Sequence, residues 1–206
     1  TGTYDTLYDS MIRYVDKQIG DIIAQLKRLG EWENSIVIVA ADHGEALFDR
    51  GVHGHASGKD RYLYDDSRDY MYNELLHVPL IIGGGAIDAS QTLTEPTSTA
   101  WLHEIIAETA GIEPAEFVRL SGRSSHLNPE SSSVVLADAL TDRGHTFAAI
   151  SGNHKLVTKS LKPGDAVLDN SQYFNLEEDP EERHPQDGGN APDSLSEAIR
   201  GNIISL

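Results

Sequence analysis

An aspartate and a histidine stand side by side at Asp42-His43, directly after an apolar run and directly before Gly44-Glu45. A carboxylate and an imidazole are both ligands for divalent cations. Mixed nitrogen–oxygen sets suit Mn or Zn, whereas Ca prefers all-oxygen sites. Gly44 lets the backbone turn sharply beside the pair without a side-chain clash. The bland alternative is a polar strand-to-loop turn whose imidazole is satisfied by hydrogen bonds. The chain has no Cys, which excludes disulfides, thiolate metal sites and a cysteine nucleophile.

Such a pair needs a rigid support, and the flanking sequence predicts one. Leu7, Met11, Tyr14, Val15, Ile19, Ile22, Ile23, Leu26 and Leu29 recur in steps of three and four, one face of a helix over Tyr4 to Leu29. Gly30 stops it. The run Ser35 to Ala41 is apolar and β-branched without alternation, the pattern of a strand covered on both faces. Helix, short loop and buried strand are the signature of an α/β fold, and in open α/β sheets ligands bind at the C-terminal ends of strands, where Asp42 and His43 fall.

Downstream, Asp42 to Asn73 reads as a long polar loop, and loops of that length are commonly functional. Val78 to Ile82 reads as a second buried strand closed by Gly83, Gly84 and Gly85. Those glycines lack the spacing of a nucleotide fingerprint and read as a strand exit. Pro96 to Ala110 predicts a helix capped by Thr94 or Thr97 and ended by Gly111. From about Ser121 the pattern changes to short strands at 133–137, 146–150, 155–158 and 172–175, with Gly152-Asn153 as a hairpin turn and a terminal helix over Pro192 to Ile199. The expected fold class is therefore α/β, a mainly parallel sheet flanked by helices, followed by a small C-terminal antiparallel sheet with a helix. The boundary falls between 1–120 and 121–206.

The formal net charge is −17, from 33 acidic and 16 basic residues. Such a surface repels nucleic acid and anionic membrane, so neither is an expected partner. Dense carboxylates with few lysines also fit a protein from a high-salt cytoplasm, where ions screen the repulsion; the alternative is a merely acidic mesophilic protein. The start at Thr1-Gly2-Thr3, with no Met or basic leader, reads as a cut from processing or cloning.

The ordered set of motifs resembles the sulfatases of the alkaline phosphatase superfamily. Asp16-Lys17-Gln18-Ile19-Gly20-Asp21-Ile22-Ile23 through Leu26 is similar to the family's helix, and Ser35 to Glu45 to its strand ending in Asp-His-Gly-Glu. Tyr72-Asn73-Glu74-Leu75 through Val78-Pro79-Leu80-Ile81-Ile82 looks like its next strand. Thr94 to Thr99 with Ala110-Gly111-Ile112, Ser121-Gly122-Arg123-Ser124, Asn153 to Val157 and Tyr173 to Glu182 follow in family order.

The resemblance implies that Asp42 and His43 are metal ligands. It implies that His55, in a Gly-His pair where many members carry Gly-Lys, contacts the sulfate or phosphate, with Lys59 and then His53 as further candidates. It implies a divalent metal, Ca in a sulfatase and otherwise Mn or Zn, and a sulfate or phosphate ester as substrate. The family's nucleophile, a formylglycine made within Cys/Ser-x-Pro-x-Arg, has no counterpart here, and neither have the paired acidic ligands of the family's N-terminal part. Residues 1–120 then read as the C-terminal half of the catalytic domain and 121–206 as a small C-terminal subdomain. The expected partner is the missing N-terminal half, with self-association into a homo-oligomer as an alternative. The piece alone is expected to be inactive. Phosphate or phosphonate monoester hydrolysis is the rival within the superfamily, and a non-catalytic binding or assembly module the rival outside it.

Overall fold

The computed structural model describes residues 2–48, 50, 53–54, 71–85, 87, 92, 94–112, 134–141, 144–158, 166, 168–169 and 171–203. The chain forms two compact units, one from 1–55 and 77–93, the other from 56–76 and 94–206. The sequence boundary after residue 120 lies outside the described residues.

The first unit begins with helix α1, Gly2–Leu29. Lys27 and Arg28 in its last turn complement the negative end of the helix dipole. At Gly30 the backbone takes φ +76°, and the Gly30 and Glu31 N–H groups donate to the carbonyls of Lys27 and Leu26. A residue with φ above zero after the last turn is the usual glycine stop. Much of the apolar stripe is uncovered: Leu7, Met11, Tyr14, Val15, Ile22 and Leu29 are each more than half exposed.

A 3-10 turn at Trp32–Asn34 leads into β1, Val37–Ala40, which pairs with β4, Leu80–Gly83. The pairing is antiparallel, with Val37 opposite Gly83 and Ala40 opposite Leu80. The expected mainly parallel sheet is not seen among the described residues, whose ladders are all antiparallel. The reason is that an unbroken apolar run reports expected cover on both faces, not strand direction. Neither strand is fully buried; Ile81 is 61% exposed.

The exit glycines have a steric basis. A Cβ on Gly84 would lie 2.0 Å from the Ser35 carbonyl oxygen, and one on Gly85 2.2 Å from the Glu33 Cα. The Gly85 N–H donates to the Trp32 carbonyl at 3.0 Å. So the chain leaving β4 lies directly on the turn that enters β1. Two further short strands, β2 at Ala46–Leu47 and β3 at His53–Gly54, pair antiparallel as a ribbon.

In the second unit, α2 is Asn73–Leu76 and α3 is Leu102–Thr109. A 3-10 turn at Thr99–Trp101 precedes α3, and its cap is Ser98, whose hydroxyl accepts from the Ala100 N–H. The expected caps Thr94 and Thr97 are not used there. The Thr97 hydroxyl instead donates to the Glu95 carbonyl.

The C-terminal sheet runs in the order β5 (Val135–Thr141), β6 (Gly144–Ser151), β7 (His154–Val157), β8 (Gln172–Asn175) and β9 (Gln186–Asp187). Ser151 pairs with His154 across Gly152-Asn153, the expected hairpin. Side chains alternate between faces along each strand. Phe147, Ala149, Leu156 and Tyr173 pack with Leu195 and Ile199 of the terminal helix α4, Asp193–Ile203. On the opposite face Ala148, Val157 and Phe174 pack with Met71, Tyr72 and Leu76. The sheet is thus covered on both sides, by α4 and by the segment containing α2.

Candidate metal centre

Asp42 and His43 follow the last residue of β1 by two and three positions. The Asp42 Oδ1 accepts the His43 backbone N–H at 3.0 Å, which fixes the carboxylate against its own turn. The His43 Nδ1 lies 2.8 Å from the Gly44 carbonyl oxygen. A carbonyl can only accept, so the contact places a proton on Nδ1, and the singly protonated ring then offers its lone pair at Nε2. That Nε2 lies 3.7 Å from the Asp42 Oδ2.

Bonds of about 2.0–2.4 Å from one cation to nitrogen and oxygen bridge such a gap when the donors subtend roughly 110° at the ion. The donor set therefore fits a divalent cation. It is also open, since the Asp42 side chain is 89% and the His43 side chain 43% exposed. Among the described residues no group of three or more Asp, Glu, His or Cys side chains converges as a metal site. Asp42 and His43 supply two donors, so a divalent cation there would need further donors besides these two.

The ribbon of β2 and β3 was not legible in the polar stretch after Glu45. It places Ala46 opposite Gly54 and Leu47 opposite His53. Residue 54 is thereby brought back beside the turn that carries the Asp-His pair. Gly54 has φ +92°, and a Cβ there would lie 3.7 Å from the Glu45 Oε1. The Glu45 carboxylate accordingly lies against the Gly54 backbone. The only sequence signal for this return was the Gly54 type itself; two residues per strand are too few for alternation to appear. His55 and Lys59 lie outside the described residues, as do Gly122, Arg123 and His126.

His77 is exposed. The His145 side chain is largely buried, with Nε2 at 2.7 Å from Asp138 Oδ2 and its ring against Phe147. The His154 Nδ1 meets the Tyr173 hydroxyl at 2.6 Å. Glu182 is fully buried against Lys155. Asp179 in the same turn has its carboxyl held below its ordinary value. Burial pushes that carboxyl up, but the N–H groups of Arg183 and His184 and the His184 imidazole outweigh it. An open depression lined by Lys27, Gly30, Trp32 and Glu33 precedes β1, at the end of the strand away from Asp42. Among the described residues no helix is long and apolar enough to cross a membrane.

A model of the family described as Sulfatase matches residues 3–112. Arylsulfatase K of Bos taurus is 29% identical over 189 residues, covering 85% of this chain and 32% of its own length. Choline-sulfatase of Rhizobium meliloti is 29% identical over 180 residues, covering 84% of this chain and 31% of its own. The chain thus spans about a third of the length of these curated relatives. Among solved structures, one in complex with k-i-k-neocarrahexaose superposes with a TM-score of 0.62 at 17% identity, over 96% of this chain and 42% of that one. Another, in complex with its substrate D-glucosamine-2-N,6-O-disulfate, gives a TM-score of 0.59 at 18% identity, over 93% and 36%. At these identities the superpositions speak to the fold.

Proposed function

From the premise that the chain belongs to the sulfatase family, its model matching residues 3–112, we propose that it is part of a metal-dependent hydrolase of sulfuric esters. The observation that carries the reading is the pairing of His43 Nε2 and Asp42 Oδ2 across 3.7 Å at the end of β1. In this reading Asp42 and His43 hold the cation, and the cation, when bound, draws off negative charge from the ester oxygens. The Nδ1–H contact to the Gly44 carbonyl holds the ring in the tautomer that offers Nε2. Gly54 and Glu45 shape the return of the chain toward this turn, and we assign His55 and Lys59, the first immediately after the ribbon, to the substrate's non-bridging oxygens. A nitrogen donor in the set suits Mn or Zn chemically; the family resemblance argues for Ca.

The nucleophile is not among the residues of this chain that match family motifs, since it contains neither Cys nor a Ser-x-Pro-x-Arg run. In our reading the formylglycine and the remaining acidic ligands belong to a further portion of the sulfatase fold. The exposed stripe of α1 supports this, since the chain spans about a third of the length of such a relative and a further portion would have apolar surface to cover. The same reading makes that portion the chain's main partner, and predicts no meaningful turnover by these residues alone.

The test is anion binding with metal present. The chain with Ca or Mn should retain inorganic sulfate weakly, and His43→Ala should abolish the metal-dependent part. Metal-dependent retention of phosphate in clear preference to sulfate would move the assignment to the phosphate or phosphonate monoesterases. No metal-dependent binding of either would leave the non-catalytic module. Turnover of an aryl sulfate by the purified chain would refute the assignment of the nucleophile elsewhere.

A further inference from the structure

Lys155 and Glu182 form an ion pair whose side chains are both 0% exposed, with Nζ 2.5 Å from Oε1. Lys155 is the second residue of β7, and Glu182 ends the turn that follows β8, with φ +53°. Two charges withdrawn from water are costly unless their remaining hydrogen-bonding positions are also met. One residue meets a position on each partner. The Asn73 backbone N–H donates to Glu182 Oε2 at 2.7 Å, and the Asn73 Oδ1 accepts from Lys155 Nζ at 2.9 Å. Asn73 is the first residue of α2, more than 80 positions away from Lys155 in sequence.

This three-way contact lies on the sheet face opposite α4. Lys155 projects to the same face as Val157, and Met71, Tyr72 and Leu76 surround the contact with apolar packing, Tyr72 edge-on to Phe174 at 5.9 Å. A single helical turn has little intrinsic stability, so this segment depends on its contacts with the sheet, apolar and polar alike. The polar contact adds directional bonds that tie residue 73 to both charges on the sheet side. That segment has a sensitive place in the chain: four positions after Leu76 begins β4, the strand paired with β1, and Asp42 and His43 follow β1.

We propose that Asn73, Lys155 and Glu182 are a buried polar latch that fastens residues 71–76 to the C-terminal sheet, and that the latch opens locally without unfolding the sheet. Lys155 and Glu182 belong to the sheet side and Asn73 to the segment, so the two sides can be uncoupled separately. Neither a solvated acidic turn nor a strand lysine at the surface accounts for an ion pair at zero exposure.

Amide hydrogen exchange in the complete chain tests this. In Asn73→Ala, the backbone amides of residues 73–76 should exchange about tenfold or more faster than in the parent, because a buried ammonium loses an acceptor when the segment docks. The amides of β6 and β7 should keep their parent rates. Glu182→Gln should release the segment further and destabilise the sheet as well, since it strands the Lys155 charge. If Glu182→Gln does not fold, the double variant Lys155→Met/Glu182→Met removes both charges. It should restore a protected sheet while residues 73–76 stay fast. Unchanged exchange at 73–76 in Asn73→Ala would overturn the proposal, and so would acceleration of the sheet amides in step with the segment.

Discussion

The Asp42 carboxylate divides its two oxygens: Oδ1 accepts the backbone N–H of His43 at 3.0 Å, and Oδ2 faces the Nε2 of the same histidine at 3.7 Å. One residue thus uses its neighbour's backbone to orient itself and its neighbour's ring to complete a two-donor set. These contacts are made by three consecutive residues, with the Gly44 carbonyl accepting the imidazole proton.

A two-donor, solvent-open site should bind divalent ions weakly, with Kd about millimolar. Calorimetry with Mn should detect this in the parent chain and lose it in Asp42→Ala and in His43→Ala. Submicromolar binding in the parent, or binding that survives both substitutions, would place the ion elsewhere.

The three exit glycines should differ in tolerance. Gly83 has nothing within 4 Å of an added Cβ, whereas Gly84 and Gly85 would meet backbone atoms of Ser35 and Glu33. Gly84→Ala and Gly85→Ala should each cost roughly 1–3 kcal/mol by overpacking, and Gly83→Ala within about 0.5 kcal/mol. Denaturant midpoints read the difference, and equal effects at all three positions would contradict the close approach.

The turn around Asp179 sets a pH dependence. Its folded-state carboxyl titrates below the ordinary value of 3.8 because N–H donors and the His184 imidazole favour the anion. A depressed carboxylate stabilises the fold above its unfolded-state value and loses that contribution as pH falls through the folded one. The parent should therefore be more stable than Asp179→Asn near neutral pH, and the two thermal midpoints should converge as acid carries the solution below the ordinary aspartate range. A gap that stays constant into that range would argue against it.

The exposed stripe of α1 should make the chain self-associate. Met11 and Val15, 67% and 53% exposed and one turn apart, can be replaced by Glu without touching the described core. Sedimentation should show a concentration-dependent larger species in the parent and less of it in Met11→Glu/Val15→Glu. Raising KCl should strengthen association and stability by screening the net charge of −17. A parent that stays monomeric at high concentration and high salt would leave the stripe without this role.

Much of the local architecture was legible in the residues alone. The period of α1, the run at β1, the Gly152-Asn153 hairpin and the alternation in the C-terminal strands are short-range patterns, because helix and strand faces repeat within a few residues. The position of Asp42-His43 at a strand end came from the same adjacency. Only the tertiary structure decided the antiparallel sense of β1 and β4, the return of Gly54 beside Ala46, and the burial of Lys155 with Glu182. Those depend on which distant segments meet. An apolar run carries no sign for direction, and a lysine in a strand or a glutamate in an acidic turn looks solvated until a partner far along the chain closes over it.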